Sequence, residues 1–294
     1  MYERILVPLD GSSKAEIVFP YVEDIAAKLG SRIMLVSVSD SAGDVESLHR
    51  YYLERVKELV QTQMNNRSAP DASKVETEAL TGSPAERILS YAEKSDASLI
   101  VMASHGSSDS GPWLLGSIAA KVLRASARPQ LLIRAAANPH GSARAGIIKR
   151  ILVPLDGSHI GEAAVPYTEV LAQALGAELV LYYVLEPPAL WTTYGAGAPV
   201  NLPRDFFLGA KAAAVSYVEA VRKRLADKGL AVRGEVREGR PADMIINYAQ
   251  SNSIDLIAMS NHGRSGIGRW VFGSVTDKVL HSGETAVLVI RAKP

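Results

Sequence analysis

Apolar residues along this chain gather in short blocks that alternate with longer segments of helical periodicity. Residues 4–9 (RILVPL), 32–38 (RIMLVSV), 98–103 (SLIVMA) and 130–134 (QLLIR) are apolar at almost every position, the pattern of strands covered on both faces. Residues 74–80 instead alternate polar with apolar and predict a more exposed strand. Between the blocks, the pattern predicts a helix from Lys14 to Leu29, stopped by Gly30, and a second over Asp44–Met64, broken by the run NNRSAPDAS. Gly82-Ser-Pro-Ala-Glu86 marks a third helix, running to about Lys94, with Ser83 placed to cap and Pro84 where a missing N–H does no harm. A fourth starts at Gly116. Strands that alternate with helices in this way predict a parallel sheet covered on both faces, because parallel strands need crossover connections.

The whole arrangement then recurs. Strands are predicted at 150–155, 178–184, 231–237, 254–259 and 286–291, with helices at 160–175 and about 204–228, and Gly239-Arg-Pro-Ala242 repeats the earlier helix start. The octapeptide ILVPLDGS occupies 5–12 and again 151–158 without a change, so the chain reads as a duplicated domain. Two domains are expected, 1–136 and 148–294, joined by a linker at 137–147 within a small, polar, proline-bearing run. After the second strand the offset between halves rises from 146 to 157, an insertion of 11 residues in the Pro-, Gly- and aromatic-rich stretch 186–200. Such a loop at the carboxyl end of a strand reads as a lid, a partner surface or a plain surface loop. The final strands of the two halves, QLLIR and AVLVIR, are candidates to pair as an internal pseudo-dimer, since exposed edges need cover.

Candidate chemistry lies where a buried strand runs into glycine. Ala103-Ser-His-Gly106, nine residues, then Gly116-Ser117 is matched by Ser260-Asn-His-Gly263, nine residues, then Gly273-Ser274. In the second loop Gly263, Gly266 and Gly273 let backbone N–H groups approach a ligand, and Arg264 and Arg269 carry charge that reaches phosphate oxygens. The helix that follows adds unpaired N–H groups and the positive end of its dipole. The first loop carries Asp109 and Pro112 and no cation, so the second site is expected to hold an anion more tightly. Asp156, and Asp10 in the first half, end the first strand of each half; each reads either as an acceptor for a ligand or as a cap of the following turn. His105 and His262 read as fixtures of the turn, Trp113 and Trp270 as packing groups, and Ser117 and Ser274 as phosphate contacts or helix caps.

On these residues both halves resemble universal stress protein domains, whose nucleotide-binding members carry G-x-x-G, nine residues, then G-S or G-T. The family's first glycine is replaced here by Ala103 in one half and Ser260 in the other. The resemblance implies an α/β fold of two tandem Rossmann-like domains of the adenine nucleotide alpha hydrolase type. Each would be a five-stranded parallel sheet of order 3-2-1-4-5 with helices on both faces. The ligand would lie at the switch point between strands one and four.

The resemblance further implies that Pro154 and Asp156 contact nucleotide, that Val184 touches adenine, and that Met259 and Ser260 line the nucleoside side. Gly263, Gly273 and Ser274 stand in the matched motif and would serve the phosphates, and His262 and Val275 beside them are further candidate contacts. The weaker first-half set is Pro8, Asp10, Val38, Met102 and Ala103, with Gly106, Gly116, Ser117 and Ile118 in its loop. The implied ligand is ATP or another adenine nucleotide, with or without Mg. The implied role is a stress-response regulator that signals through nucleotide-dependent conformation or affinity for an unidentified protein partner. A scaffold of the same fold without nucleotide, and a slow nucleotide hydrolase, are the alternatives.

Composition narrows the field. At 294 residues and 47% hydrophobic, the chain has enough apolar material for two ordinary cores. Zero cysteines exclude disulfides, thiolate zinc sites and cysteine nucleophiles, and the six histidines show no H-x-x-x-H pair, so no metal site is assigned. A net charge of +1, without single-sign blocks, makes nucleic acid a poor partner. No apolar run reaches the roughly 18 residues of a membrane span, and Met-Tyr-Glu-Arg leads directly into a strand, so a cytoplasmic location is expected. No G-x-x-x-x-G-K-[ST] loop and no Ser-His-Asp arrangement is present; no catalytic residue is assigned, and at most slow ATP hydrolysis is expected.

Overall fold

The computed structural model describes residues 1–40, 44–67, 74–105, 115–134, 146–187, 204–263 and 272–292. The first half contributes strands β1 (Arg4–Leu9), β2 (Arg32–Ser39), β3 (Val75–Thr81), β4 (Leu99–Ala103) and β5 (Gln130–Ile133). The second contributes β6 (Arg150–Leu155), β7 (Glu178–Leu185), β8 (Val232–Glu238), β9 (Leu256–Ser260) and β10 (Ala286–Ile290). The helices are α1 (Ser13–Glu16), α2 (Phe19–Leu29), α3 (Asp44–Asn66), α4 (Pro84–Lys94), α5 (Ser117–Ala125), α6 (Val165–Leu175), α7 (Arg204–Ala226), α8 (Pro241–Ser251) and α9 (Ser274–Ser282).

Within each half neighbouring strands are parallel and run 3-2-1-4-5, as expected. The two sheets do not stay separate. Strands β5 and β10 pair antiparallel, with Leu132 opposite Val287 and Leu131 opposite Leu288, and the order is β3-β2-β1-β4-β5-β10-β9-β6-β7-β8. Pairing the two last strands gives each a partner for backbone groups that would otherwise form an open edge.

Alternation along each strand sends its side chains to two apolar layers. Ile5, Val7 and Leu9 face the layer that contains α2, α3, α6 and α7, whereas Leu6, Met34 and Val36 face the layer that contains α4, α5, α8 and α9. Both layers cross the seam: Ile133 and Ile290 belong to the first, Leu132 and Val287 to the second. The halves are joined by continuous core as well as by backbone hydrogen bonds.

The first helix of each half is shorter than its periodicity predicts. Residues 14–29 divide into α1 and α2, and residues 160–175 into a 3-10 turn at Gly161–Ala164 followed by α6. Pro20 and Pro166 lie in the opening turns of α2 and α6. A proline there has no N–H for the carbonyl four residues back and its ring strikes that carbonyl, so the helix restarts. The stop signals behave as expected: Gly30 and Gly176 both have φ 67 and donate their N–H groups to Ala26 and Ala172. Ser83 stands at the N-cap of α4 but makes no side-chain capping bond.

Where the chain enters the second half it is tied to the first. Asp24, 1% exposed, accepts from the backbone N–H groups of Gly146 (3.4 Å) and Ile147 (3.1 Å). Arg67 bridges Asp24 at 3.4 Å and Glu23 at 3.2 Å. Most of the expected linker and of the 186–200 insertion falls outside the described residues. No described helix is long and apolar enough to cross a membrane.

Candidate functional site

Strand order reverses between β1 and β4 and again between β6 and β9. Helices leave toward opposite faces at such a point, so a crevice opens beyond the carboxyl ends of the two strands. Both crevices are present. Cleft 1, about 150 Å³, is lined by Pro8, Asp10, Val38, Met102, Ala103, Gly116, Ser117 and Ile118 among others. Cleft 2, about 340 Å³, is lined by Pro154, Asp156, Val184, Met259, Ser260, His262, Gly263, Gly273, Ser274 and Val275 among others. Every described candidate from the sequence thus reaches one of the two clefts. Gly106, Arg264, Gly266 and Arg269 lie outside the described residues. Small-molecule pockets are commonly about 300–1,000 Å³, a range that takes in the second cleft and leaves out the first.

Asp156 is held from several sides in cleft 2. Its Oδ1 accepts from the Ser158 amide at 2.9 Å and from Ser158 Oγ at 2.7 Å, and Ser158 Oγ in turn accepts from the Gly161 amide at 2.9 Å. The carboxylate therefore does cap its own turn. It also sits between two backbones: a Cβ on Gly161 would collide with Oδ1, and one on Gly263 with Oδ2. The first half has Ala15 where the second has Gly161. Asp10 keeps the corresponding Ser12 bonds, 3.0 Å to the amide and 2.6 Å to Oγ, but is exposed rather than recessed.

Opposite Asp156, α9 begins. Gly273 is its N-cap with no side-chain capping bond, so the first-turn amides of Ser274, Val275 and Thr276 are presented at the cleft wall. Helix α5 begins in the same way at Gly116. Neither Ser117 nor Ser274 is the cap; each is the first residue inside its helix. The turn ahead of α9 is held by its own backbone. The Gly273 amide donates to the Asn261 carbonyl at 2.9 Å, Thr276 Oγ1 to the Ser260 carbonyl at 3.0 Å, and Ser260 Oγ to the His262 carbonyl. A Cβ on Gly273 would find nothing nearer than 3.6 Å. Of the two loop glycines described in this half, only Gly263 is closed by packing.

The two loop histidines differ. His105 Nδ1 is hydrogen-bonded to Ser104 Oγ at 2.9 Å. In the second half Asn261 replaces that serine, and its Oδ1 accepts from the Ala292 amide at 3.1 Å instead. His262 Nε2 is left buried at the cleft with no hydrogen-bond partner among the described residues. His262 serves the turn through its carbonyl, which accepts from Ser260 Oγ.

Several lining residues were not singled out from the sequence. Gly161 and Thr276 act on the cleft as described above, and Glu186 brings a second carboxylate to its mouth. Tyr182 is two positions before Val184 on the same strand face, the spacing by which it could have been found. Its ring centroid is 4.6 Å from that of Tyr248 at 39°, and Tyr248 donates to Glu235 Oε1 at 2.5 Å. Burial and the Glu235 carboxylate push the Tyr248 hydroxyl up to about 12, so it stays a donor at neutral pH. Among the described residues no cluster of three His, Asp or Glu side chains is suited to a metal ion.

Comparison with known proteins bears on the family and the fold. The sequence model of the universal stress protein family matches residues 1–134 and 148–291. A universal stress protein of Thermus aquaticus is 30% identical over 151 residues, 49% of this chain and 100% of that protein. Another, YxiE of Bacillus subtilis, is 28% identical over 149 residues, again 49% of this chain and 100% of its own length. The crystal structure of a universal stress protein from Archaeoglobus fulgidus superposes with a TM-score of 0.72 at 19% identity, covering 99% of both chains. That similarity is one of fold.

Proposed function

This chain belongs to the universal stress protein family, and from that premise we propose that it is a cytosolic stress-response regulator that binds an adenine nucleotide in cleft 2. One observation carries the reading: a single cleft of about 340 Å³ is lined both by the recessed carboxylate of Asp156 and by the uncapped amino end of α9. A carboxylate accepts hydrogen bonds from ribose or base, while free amides at the positive end of a helix dipole attract phosphate. A ligand with a nucleoside at one end and an anion at the other would use both kinds of group. Val184, Met259 and Ser260 would contact the nucleoside, and Gly273, Ser274 and Val275 the phosphates, with Arg264 and Arg269 supplying countercharge. We place the domains at 1–136 and 148–294, and assign neither a catalytic residue nor a metal ligand. Mg would enter on the nucleotide.

Cleft 1 offers the same frame at about 150 Å³, with Asp10 exposed and Asp109 in its loop. It is the weaker site in this reading. Titration calorimetry of nucleotide-free protein with Mg-ATP tests the proposal: one binding event is expected. Absence of heat and of any competing adenine nucleotide would favour the alternative, a scaffold of the same fold that works through protein partners.

A further inference from the structure

The helix that opens each cleft is held at its far end by the other half of the molecule. Arg134 follows β5 and is 4% exposed; its Nη2 donates to the Leu280 carbonyl in the last turn of α9. Arg291 follows β10, and its Nη2 donates to the Arg124 carbonyl, in the last turn of α5, at 2.7 Å. The two arginines are separated by 157 positions, the same offset as the two glycine loops, so the crossed contact repeats with the domain. Carbonyls in a last helical turn lack an intrahelical partner and carry the negative end of the dipole. A guanidinium placed on one fixes where that helix ends. Burial lowers the Arg134 guanidinium to about 10, which leaves it charged at neutral pH.

Arg291 is also fixed to the turn of cleft 2. Just before it, the Ile290 carbonyl accepts from the Asn261 amide at 2.8 Å; just after it, the Ala292 amide donates to Asn261 Oδ1 at 3.1 Å. The Asn261 carbonyl accepts from Gly273 at 2.9 Å. In the first half Ile133 accepts from Ser104, and Ser104 from Gly116, each at 2.8 Å. The path from one cleft to the other is thus Gly273, Asn261, Arg291, the Arg124 carbonyl, and then α5, a rod of about 13 Å, back to Gly116.

We propose that this crossed pair of arginines couples the two clefts, so that ordering the 261–263 turn in cleft 2 repositions α5 and thereby changes cleft 1. The mechanical link stands by itself; that a nucleotide drives it rests on the function proposed above.

The test is a double-mutant cycle on the full chain without ligand, read by amide hydrogen exchange along 120–125 of α5. Asn261→Ala should speed exchange there about twofold or more, the low end of what coupled residues show in such cycles. The same change made in an Arg291→Gln background should add nothing, and α3 should be unaffected in all four proteins. If Asn261→Ala leaves α5 unchanged, or the two effects simply multiply, the coupling is refuted.

A second arm adds Mg-ATP. The parent should show slowed exchange in α5, and Arg291→Gln should lose the slowing while still binding ATP in calorimetry. Binding with α5 unchanged in the parent overturns the coupling. Failure to bind ATP at all counts against the proposed function, and the ligand-free cycle then decides the coupling by itself.

Discussion

A Cβ on Gly263 would strike Oδ2 of Asp156, so the turn after β9 and the end of β6 are fitted to each other with no room for a methyl group. Asp156 cannot easily retreat, because Ser158 holds its other oxygen and Gly161 closes the opposite side. Gly263→Ala should therefore destabilise the protein by about 1–3 kcal/mol, the usual cost of overpacking. In urea denaturation, Gly263→Ala made in an Asp156→Ala background should cost much less than in the parent, which an effect of backbone freedom would not permit. Gly273→Ala is the control: its Cβ has ordinary space, and stability should stay within about 1 kcal/mol of the parent.

The amino end of α9 allows stability and affinity to be driven in opposite directions. A carboxylate in the first turn of an uncapped helix is favourable by about 0.3–1 kcal/mol. The same carboxylate occupies the place proposed for phosphate. Ser274→Asp should raise the melting temperature slightly and remove Mg-ATP binding, whereas Ser117→Asp at α5 should raise it without touching affinity. Equal loss of binding from both would mean that cleft 1 is the site, or shares it.

The histidines separate ring from backbone. Because the Ser260 bond goes to the His262 carbonyl, His262→Ala should change stability by less than about 1 kcal/mol. If the buried Nε2 meets a ligand atom, the variant should bind Mg-ATP up to about tenfold more weakly, as for one lost hydrogen bond. His105→Ala breaks the Ser104 contact, so its cost should appear as about 1 kcal/mol of stability and not in affinity. Calorimetry and thermal melts on both variants decide it.

What could be read in the sequence depended on how local each signal was. Strands such as β1 and β4 were plain because an apolar run ended in Asp-Gly-Ser or in Ser-His-Gly, and the duplication made every signal appear twice. The break of the first helix at Pro20 and Pro166 was equally local, but the apolar periodicity continued through it and concealed it. The wedging of Asp156 required knowing that Gly161 and Gly263, about a hundred residues apart, meet at one carboxylate, which no local pattern records. The crossed arginines were not legible at all. Their partners are main-chain carbonyls, and a carbonyl leaves no mark on the identity of the residue that carries it.

The seam between α2 and the entry to the second half should respond to pH in a defined direction. Burial holds the Glu23 carboxyl above the usual carboxylate range, with Arg67 opposing that rise through its charge and hydrogen bond. A carboxyl raised by folding favours the native state while it is protonated; that contribution is complete below its unfolded value and is lost as pH rises through the folded one. Arg67→Met removes the opposing cation and raises the folded value further. Its penalty should therefore be greatest near neutral pH, where Glu23 would be left charged and unpaired by any cation among the described residues. At that pH the loss should be about 3 kcal/mol, as for a broken buried pair. As pH falls toward about 4.5, Glu23 takes up a proton and the penalty should shrink. Urea denaturation of parent and variant at about pH 7 and about pH 4.5 measures the difference. A deficit that does not vary with pH would mean that Arg67 acts through packing of its aliphatic stem and not through its charge.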